Sequence, residues 1–316
     1  MYTNYSRLKQ LFIIGNGFDL AHKLPTKYQD FYNFLKRPEA ADDEKILLDV
    51  LIDHIGDALN PYNELDHKFY WENFESLLGE ADFQQDMPFS SSYDDKSDDD
   101  PDYQAQQLLP QFEVLRSSKG LLSEIFERWI STIDVNQAKP DNQFAKYIRK
   151  NQSTFLSFNY TMTLEYLYDE WQVMHIHGKV GDGNIMVGHG NPFRQLESHK
   201  ISEVPLPLTA SMVDIEEYCN QLTISDELYN AWHKDVPGNI ERHKGYFESL
   251  RDVDEIYTFG FSYNKVDSPY IVEIIHNLKD SSNTNWFLKA YNHQKNLEYK
   301  DKIREWGFKG RINEFF

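Results

Sequence analysis

Short apolar runs alternate with amphipathic segments along most of this chain. An apolar run, Leu11 to Ile14, predicts a strand over Lys9 to Ile14, and the lack of polar alternation is typical of a strand that is buried on both faces of a sheet. Further strands are predicted at residues 153–158, 173–176, 184–187, 255–259, 286–290 and 311–315. The pattern therefore indicates several short strands, most of which end at a glycine or a polar residue.

Between these strands, apolar residues recur at helical spacing. The clearest stripe lies in residues 44–59, where one face carries Leu47, Leu48, Leu51, Ile52 and Ile55. Thr26 to Gln29 has the capping-box pattern of a helix start, and Ser268-Pro269 offers a cap and a first-turn proline for another helix. Further helices are predicted at residues 70–78, 104–130, 164–168 and 212–249.

Strands that alternate with helices indicate parallel βαβ units. We therefore predict an α/β fold with a Rossmann-like, mostly parallel sheet flanked by helices. All 316 residues are assigned to one such domain, with a helical insertion at residues 40–150. Within the insertion, residues 82–103 include a run of aspartates from Asp94 to Asp102 that repel one another, which predicts a mobile acidic loop. An acidic segment that binds a partner is the alternative.

Composition narrows the classes of function. The net charge of −19 argues against non-specific binding to nucleic acid, which depends on lysines and arginines, but it leaves room for a local basic pocket. Cys219 is the single cysteine, which excludes a disulfide within the chain and a four-cysteine zinc site. No apolar run approaches the roughly 20 residues of a membrane helix, and the first residues lack a signal-peptide pattern. We therefore expect a cytoplasmic protein with no membrane partner.

The first predicted strand leads into a glycine turn, Gly15-Asn16-Gly17, and a helix-forming segment follows. Glycines let backbone N–H groups approach an anion, so the turn is a candidate phosphate cradle. The third glycine of the dinucleotide fingerprint and the lysine of a P-loop are missing, so a tight turn without a ligand explains the pattern equally well. Asp19 is placed either to bind a ribose hydroxyl or to cap the helix.

Two more predicted strands end in residues that carry chemistry. Asn159 offers donors and an acceptor to a sugar hydroxyl or a water, and an Asx turn is the alternative interpretation. His175 and His177 share one strand face, as two metal ligands would, but no third ligand stands out in this segment. His177, which precedes a glycine, is the better candidate for a general base, and His189 is a weaker one.

A fourth turn, Gly260-Phe261-Ser262 with Asp267, also follows a predicted strand, and a helix cap explains it as well as a ligand does. The carboxyl ends of parallel strands lie at one edge of a sheet, which is where such sheets bind ligands. The joint placement of the four turns therefore favours a common site.

Six spaced motifs extend over most of the chain: Ile14–Asp19, Leu24–Tyr28, Trp71 with Glu75, Phe158–Thr161, His175–Gly178, and Gly260–Ser262 with Asp267. In this order the motifs resemble the AbiH family of bacterial phage-defence (abortive infection) proteins. The number of motifs makes the resemblance specific. The resemblance implies a role in antiviral defence.

The same landmarks are remotely similar to sirtuins. Gly15 and Pro25 have the spacing of a glycine and a proline in the sirtuin nucleotide loop, and His177 precedes a glycine as the sirtuin catalytic histidine does. Thr161 replaces an expected aspartate and the zinc-binding cysteines are missing, so an acyl-lysine peptide substrate is not expected. The similarity implies a sirtuin-like α/β fold that binds NAD and needs no metal.

The resemblance also implies the roles of individual residues. Asn159 and His177 are the expected catalytic residues. The expected NAD-binding residues are Gly15, Asn16, Gly17, Phe18, Asp19, Pro25, Thr26, Thr161, Gly260, Ser262 and Asp267.

The expected function is hydrolysis of NAD to nicotinamide and ADP-ribose during phage defence. A small-molecule nucleotide is the expected partner, and a second copy of the chain or a phage-derived trigger are further candidates. One alternative is a nucleotide-binding sensor without catalysis, which Thr161 in place of the acid favours. A nuclease toxin is the other alternative, and the charge of −19 and the lack of a clear carboxylate cluster for two metals disfavour it.

Overall fold

The structure is a computed structural model that describes residues 9–56, 74–79, 120–192, 226–227, 229–290 and 292–316. The chain forms two compact units. The first comprises Met1–Asp30, Phe126–Met186 and Asp235–Phe316, and the second comprises Phe31–Ile125 and Val187–Lys234. The predicted acidic loop at 82–103 lies outside the described residues.

A six-stranded parallel sheet forms the centre of the first unit. Its strands are β1 (Gln10–Ile14), β2 (Ser153–Ser157), β3 (Val173–His175), β4 (Glu255–Phe259), β5 (Asn285–Lys289) and β6 (Arg311–Phe315). The strands lie in the order β3-β2-β1-β4-β5-β6. The predicted α/β fold with a parallel sheet is confirmed, and so are six of the seven predicted strands.

The strand predicted at residues 184–187 is wrong. This segment has no ladder of hydrogen bonds. It folds back on the turn after β3 instead, where the Met186 N–H donates to the His177 carbonyl at 2.8 Å and the Tyr160 hydroxyl donates to the Met186 carbonyl at 2.8 Å. A few apolar residues in a row predict burial, but they do not determine which partner supplies the hydrogen bonds.

β1 lies in the middle of the sheet between β2 and β4, and its side chains are buried on both faces. Leu11 and Ile13 pack into one apolar cluster, whereas Phe12 and Ile14 pack into another. This division follows from the two-residue period of a strand, and it requires apolar residues at four consecutive positions, 11–14. The continuous run that predicted β1 therefore has a direct structural cause.

Helices cover both faces of the sheet. Ile271, Ile274 and Ile303 belong to the apolar cluster of Leu11, and Phe18 and Leu164 belong to the cluster of Phe12. The described α-helices are Asn16–Ala21, Tyr28–Leu35, Asp42–Gly56, Phe74–Leu78, Leu121–Ser131, Asn142–Ala145, Thr163–Tyr168, Val236–Arg242, Lys244–Ser249, Ser268–Asn277 and His293–Glu305. None of the helices in these ranges is long and apolar enough to cross a membrane.

Two predicted helix caps are wrong, although the helices are present. The Thr26 hydroxyl makes no hydrogen bond within the described part of the chain, and the Lys27 N–H donates to the Asp30 carboxylate instead. The Ser268 hydroxyl donates backwards to the Lys265 carbonyl at 2.9 Å rather than capping its helix. In both cases the local pattern correctly predicted a helix start, but it did not predict which groups form the hydrogen bonds there.

The second unit contains the helices at Asp42–Gly56 and Phe74–Leu78. Within it the Lys234 ammonium donates to the Glu75 carboxylate at 2.7 Å, and the Lys234 side chain has no exposed surface. Most of the predicted insertion at 40–150 falls in this unit, together with the later segment Val187–Lys234. The single-domain assignment and the limits of the insertion stay predictions.

Candidate functional site

The carboxyl ends of β3, β2, β1 and β4 carry the four turns that the sequence singled out. All strands run in the same direction, so these turns lie at one edge of the sheet in the first unit. Ser157 of β2 pairs with His175 of β3, and therefore Asn159 and His177 each lie two residues beyond a paired position. The rings of Phe158 and His177 are 5.4 Å apart, which shows that the two turns are in contact.

The glycine turn after β1 packs directly against the turn after β4. The Gly15 N–H donates to the Phe259 carbonyl at 3.0 Å, and the Gly17 N–H donates to the Gly260 carbonyl at 3.0 Å. A Cβ on Gly17 would lie 2.6 Å from the Gly260 Cα atom, and Gly260 itself has a φ of +73°. The close approach of the two turns thus explains these glycines, and the predicted pyrophosphate contact of their amides stays a prediction.

Asp19 connects the helix after β1 to the turn after β2. Its two carboxylate oxygens accept hydrogen bonds from Thr161 at 2.6 Å and from Thr163 at 2.7 Å. Burial raises the pKa of the Asp19 carboxyl, while the two threonine hydroxyls act in the opposite direction. Both oxygens of this predicted ribose ligand therefore already have partners, and a role for Asp19 or Thr161 in binding NAD stays a prediction.

The other predicted NAD-binding residues on the β1 side occupy different environments. Phe18 is fully buried in the apolar cluster of Phe12, so its side chain belongs to the core. The Asn16 amide donates to the Thr26 carbonyl at 2.8 Å and closes the intervening loop. Asn16 and Pro25 are exposed, as is Ser262 in the turn after β4.

The backbone of Asn159 is firmly held, whereas its side chain is not. Its N–H donates to the Ser157 hydroxyl at 3.1 Å, and its carbonyl lies 2.9 Å from Nδ1 of His175. The carboxamide is buried, and it lies near enough to Asp19 to lower the pKa of that carboxyl. Neither Oδ1 nor Nδ2 makes a hydrogen bond of good geometry within the described residues. The Asx-turn interpretation is therefore wrong, because Oδ1 accepts no backbone N–H.

His177 lies against a carboxylate inside an aromatic surround. Its Nε2 atom is 3.4 Å from Oδ1 of Asp267, and both side chains are buried. The ring centroids of Phe158 and Tyr270 lie 5.4 and 5.5 Å from that of His177. Asp267 is held by its own N–H, which donates to the Asn264 side chain at 2.9 Å. A carboxylate beside a buried imidazole stabilises the protonated ring, as a general base requires.

The two histidines of the β3 segment have separate acidic partners. His175 Nε2 lies 2.8 Å from the Glu165 carboxylate, whereas His177 faces Asp267. Among the described residues, no group of three or more His, Cys, Asp and Glu side chains is arranged to hold a metal ion. His189, the weaker base candidate, belongs to the second unit, where its Nε2 lies 2.9 Å from the Tyr229 carbonyl.

Sequence reasoning missed Glu165 and Tyr270. Glu165 is a buried carboxylate on the short Thr163–Tyr168 helix, and Tyr270 accepts a hydrogen bond from the Asn239 amide at 2.9 Å beside His177. The sequence signal that could have identified Glu165 is its charge within the otherwise apolar pattern of a short helix. Trp71, which carries part of the family resemblance, lies outside the described residues.

A shallow apolar groove of about 460 Å³ lies elsewhere on the first unit, between the Val236–Arg242 and Ser268–Asn277 helices. It is lined by Pro237, Ile240, Ser268, Pro269, Val272 and Glu273. This lining includes none of the predicted site residues and no buried polar group, so the chemistry described above does not depend on the groove.

Comparison with known proteins gives one family. The family model described as "Bacteriophage abortive infection AbiH" matches residues 11–289, which include all four turns at the sheet edge. Comparisons with the curated proteins and with the solved structures gave no significant match.

Proposed function

The chain belongs to the AbiH family of bacteriophage abortive infection proteins, and we propose that it is an enzyme that hydrolyses NAD to nicotinamide and ADP-ribose. The observation that carries the proposal is that the buried His177–Asp267 pair and the buried carboxamide of Asn159 lie at the same carboxyl edge of a parallel sheet. These groups supply a proton acceptor and an orienting donor–acceptor pair in adjacent turns.

The strand order supports a nucleotide as the ligand. The order 3-2-1-4-5-6 is that of doubly wound sheets that bind dinucleotides beyond the carboxyl ends of their strands. In such sheets the ligand lies where the strand order reverses, which here is between β1 and β4. Because the turns of Gly17 and Gly260 already touch there, the reacting end of NAD would lie on the side of β2 and β3.

The proposed reaction is attack of water on the nicotinamide ribose. The bond between the ribose C1′ atom and the nicotinamide nitrogen breaks, and the electron pair leaves with nicotinamide. The water oxygen bonds to C1′, and the proton of the water passes to His177.

Asn159 would orient the water or a ribose hydroxyl, because its carboxamide offers both a donor and an acceptor. The buried amide lacks a well-formed hydrogen bond within the described residues, and buried polar groups normally have partners. A ligand that supplies those hydrogen bonds would remove this deficit. The exposed Asn16 and Ser262 side chains would contact the rest of the nucleotide.

The test is incubation of the full chain with NAD, with nicotinamide and ADP-ribose separated by chromatography. We expect turnover by the native protein, a strong loss in Asn159→Ala and His177→Ala, and no change in His276→Ala, which removes an exposed histidine. The same variants are compared for NAD loss in phage-infected cells, because a defence enzyme is expected to be silent before infection.

Calorimetry with NAD and ADP-ribose separates the alternatives. Tight binding of NAD without its turnover, both by the purified chain and in phage-infected cells, would refute the proposed enzymatic activity. It would favour the nucleotide-binding sensor. Turnover that is unchanged by both substitutions at Asn159 and His177, or the absence of both binding and turnover, would refute the proposed site.

A further inference from the structure

We propose that Glu165 and His175 form a positioning pair that holds the Asn159 turn in place through the carbonyl of Asn159. This inference rests on the proposed function for its meaning in catalysis, whereas its structural part does not. Neither residue was assigned a role as a base or a ligand above. Both side chains are buried, with 3% and 4% of their surface exposed.

The hydrogen bonds of His175 determine where its protons lie. The Asn159 carbonyl 2.9 Å from Nδ1 is only an acceptor, so Nδ1 carries a proton and donates it. Nε2 lies 2.8 Å from Oε1 of Glu165, and that contact requires one further proton on either atom. Glu165 thus fixes the ring orientation in which Nδ1 points at the Asn159 carbonyl, as outer carboxylates do for histidines in many sites.

The hydrogen bond from His175 acts on the backbone of Asn159 and does not involve its side chain. The Asn159 N–H donates to the Ser157 hydroxyl, and the carbonyl accepts from His175, so the peptide on each side of the residue is held. The Ile176 N–H also donates to the Ser157 carbonyl at 3.0 Å, which joins the ends of β2 and β3. The turn from which the Asn159 carboxamide projects is therefore rigid, so its backbone needs no further ordering when a ligand binds.

His175 and Glu165 are positioning residues because they act on the reaction only through Asn159. A displacement of about 1 Å at a reacting group costs about 10²-fold in rate. Loss of the His175 hydrogen bond is therefore expected to lower kcat on NAD more than it raises KM.

Two substitutions of His175 distinguish a role in positioning Asn159 from a general effect on the stability of the protein. His175→Asn keeps an N–H donor near the position of Nδ1 but loses the contact with Glu165, whereas His175→Phe keeps a ring and loses both contacts. We expect His175→Phe to lose about 10²-fold in kcat and His175→Asn to recover a substantial part of it. Activity that simply follows the midpoint of thermal unfolding across both variants would overturn the positioning role.

A readout without activity tests the geometry itself. Nitrogen-15 NMR of the histidine rings is expected to show Nδ1 of His175 protonated in the native protein and in Glu165→Gln, whose amide can donate to Nε2. In Glu165→Ala the ring is no longer anchored at Nε2, so the hydrogen bond from Nδ1 to the Asn159 carbonyl, and with it the protonation of Nδ1, is expected to be partly lost. Glu298→Gln, at an exposed position, is the matched control.

The outcomes distinguish the two proposals. If Nδ1 of His175 is protonated as expected but no variant or native protein acts on NAD, the positioning pair stands and the proposed function fails. If Nδ1 of the native protein carries no proton, the positioning pair is refuted whatever the protein does with NAD.

Discussion

His177 and Asp267 lie 3.4 Å apart although they follow strands that are not neighbours in the sheet. His177 comes after β3 and Asp267 after β4, and β2 and β1 lie between these strands. The pair therefore links the two sides of the point where the strand order reverses. This link brings the turns after β3 and β4 together at the sheet edge, where the turns after β1 and β2 also lie.

The first prediction concerns Asp267. Asp267→Asn keeps the shape of the side chain but removes the charge that stabilises a protonated His177. We expect NAD hydrolysis to fall by roughly 10²-fold, within the usual range for loss of acid–base assistance. Steady-state turnover measures this, with Asp301→Asn on an exposed helix face as the control. Equal activity of Asp267→Asn and the native chain would contradict the assignment of His177 as the base.

The second prediction concerns the pH dependence of stability. Burial raises the pKa of Asp19 above the ordinary value near 3.9, so the folded state holds this proton more tightly than the unfolded chain does. The contribution of Asp19 to stability is therefore largest in acid and is lost as the pH rises through its raised pKa. Above about pH 4, we expect the unfolding free energy of Asp19→Asn to fall less with rising pH than that of the native chain does.

Thr161→Val is expected to change the pH dependence of stability in the direction opposite to that of Asp19→Asn. It removes a hydroxyl that donates to the ionised carboxylate, so the pKa of Asp19 rises further. Stability should then fall more steeply with pH than in the native chain. Urea unfolding across this pH range measures both variants, and parallel curves for all three proteins would show that Asp19 does not titrate in the expected way.

The third prediction concerns contact between the two glycine turns. Gly260→Ala would place a Cβ 2.2 Å from the Phe18 backbone nitrogen at a φ of +73°, and neither backbone can move without breaking the contact of β1 with β4. We expect a loss of more than about 3 kcal/mol in unfolding free energy or a failure to fold.

Gly181→Ala is the matched control for this effect. Gly181 also has a positive φ, of +91°, but an added Cβ would meet nothing within 4 Å. Only the backbone strain of about 1–2 kcal/mol is then expected. Thermal unfolding compares the two variants, and an equal loss in both would mean that the close approach of the turns contributes nothing beyond strain.

The fourth prediction compares two ion pairs of similar length and different burial. Lys234 and Glu75 are 2.7 Å apart with the lysine fully buried, whereas Lys9 and Asp254 are 2.9 Å apart at the surface. Removal of one partner of a buried pair leaves a desolvated charge, so Lys234→Met should cost about 3 kcal/mol or more. Lys9→Met should cost less than about 1 kcal/mol.

Chemical denaturation of both variants tests this comparison. Because the two distances are nearly equal, the difference in unfolding free energy reports on burial rather than on the length of the contact. Similar losses for Lys234→Met and Lys9→Met would contradict the assignment of Lys234 to a buried pair. Replacement of both Lys234 and Glu75 by apolar residues should recover part of the loss.

Local pattern was a good guide to the strands and a poor one to the side-chain contacts at their ends. The apolar run of β1 identified a strand buried on both faces, since each face of the sheet needs its own apolar residues. The Thr26 capping box was wrong because the helix begins at Tyr28, so Lys27 precedes it and Asp30 rather than Gln29 reaches back to the N–H of that residue. The residue at which a helix begins is decided by loop geometry that a motif does not contain.

The candidate site shows the same division. Asn159 and His177 were found because each follows a strand end, where parallel sheets place ligand-binding residues. Glu165 was missed because nothing in its helix shows that it faces His175 rather than solvent. Asp19 was predicted to bind a ribose hydroxyl or to cap its helix; the sequence did not show that Thr161 and Thr163 donate to its two oxygens, and the ribose contact stays a prediction.

The sequence by itself determined the apolar strands, the glycine turns that follow them, the α/β class and membership of the AbiH family. These features are local, so composition and order along the chain are enough to reveal them. Only the tertiary structure decided that Asp267 faces His177, that Glu165 holds His175 and that the Gly15 and Gly17 amides are engaged. Those contacts depend on the order of strands in the sheet, which brings distant segments together and leaves no trace in the periodicity of any one of them.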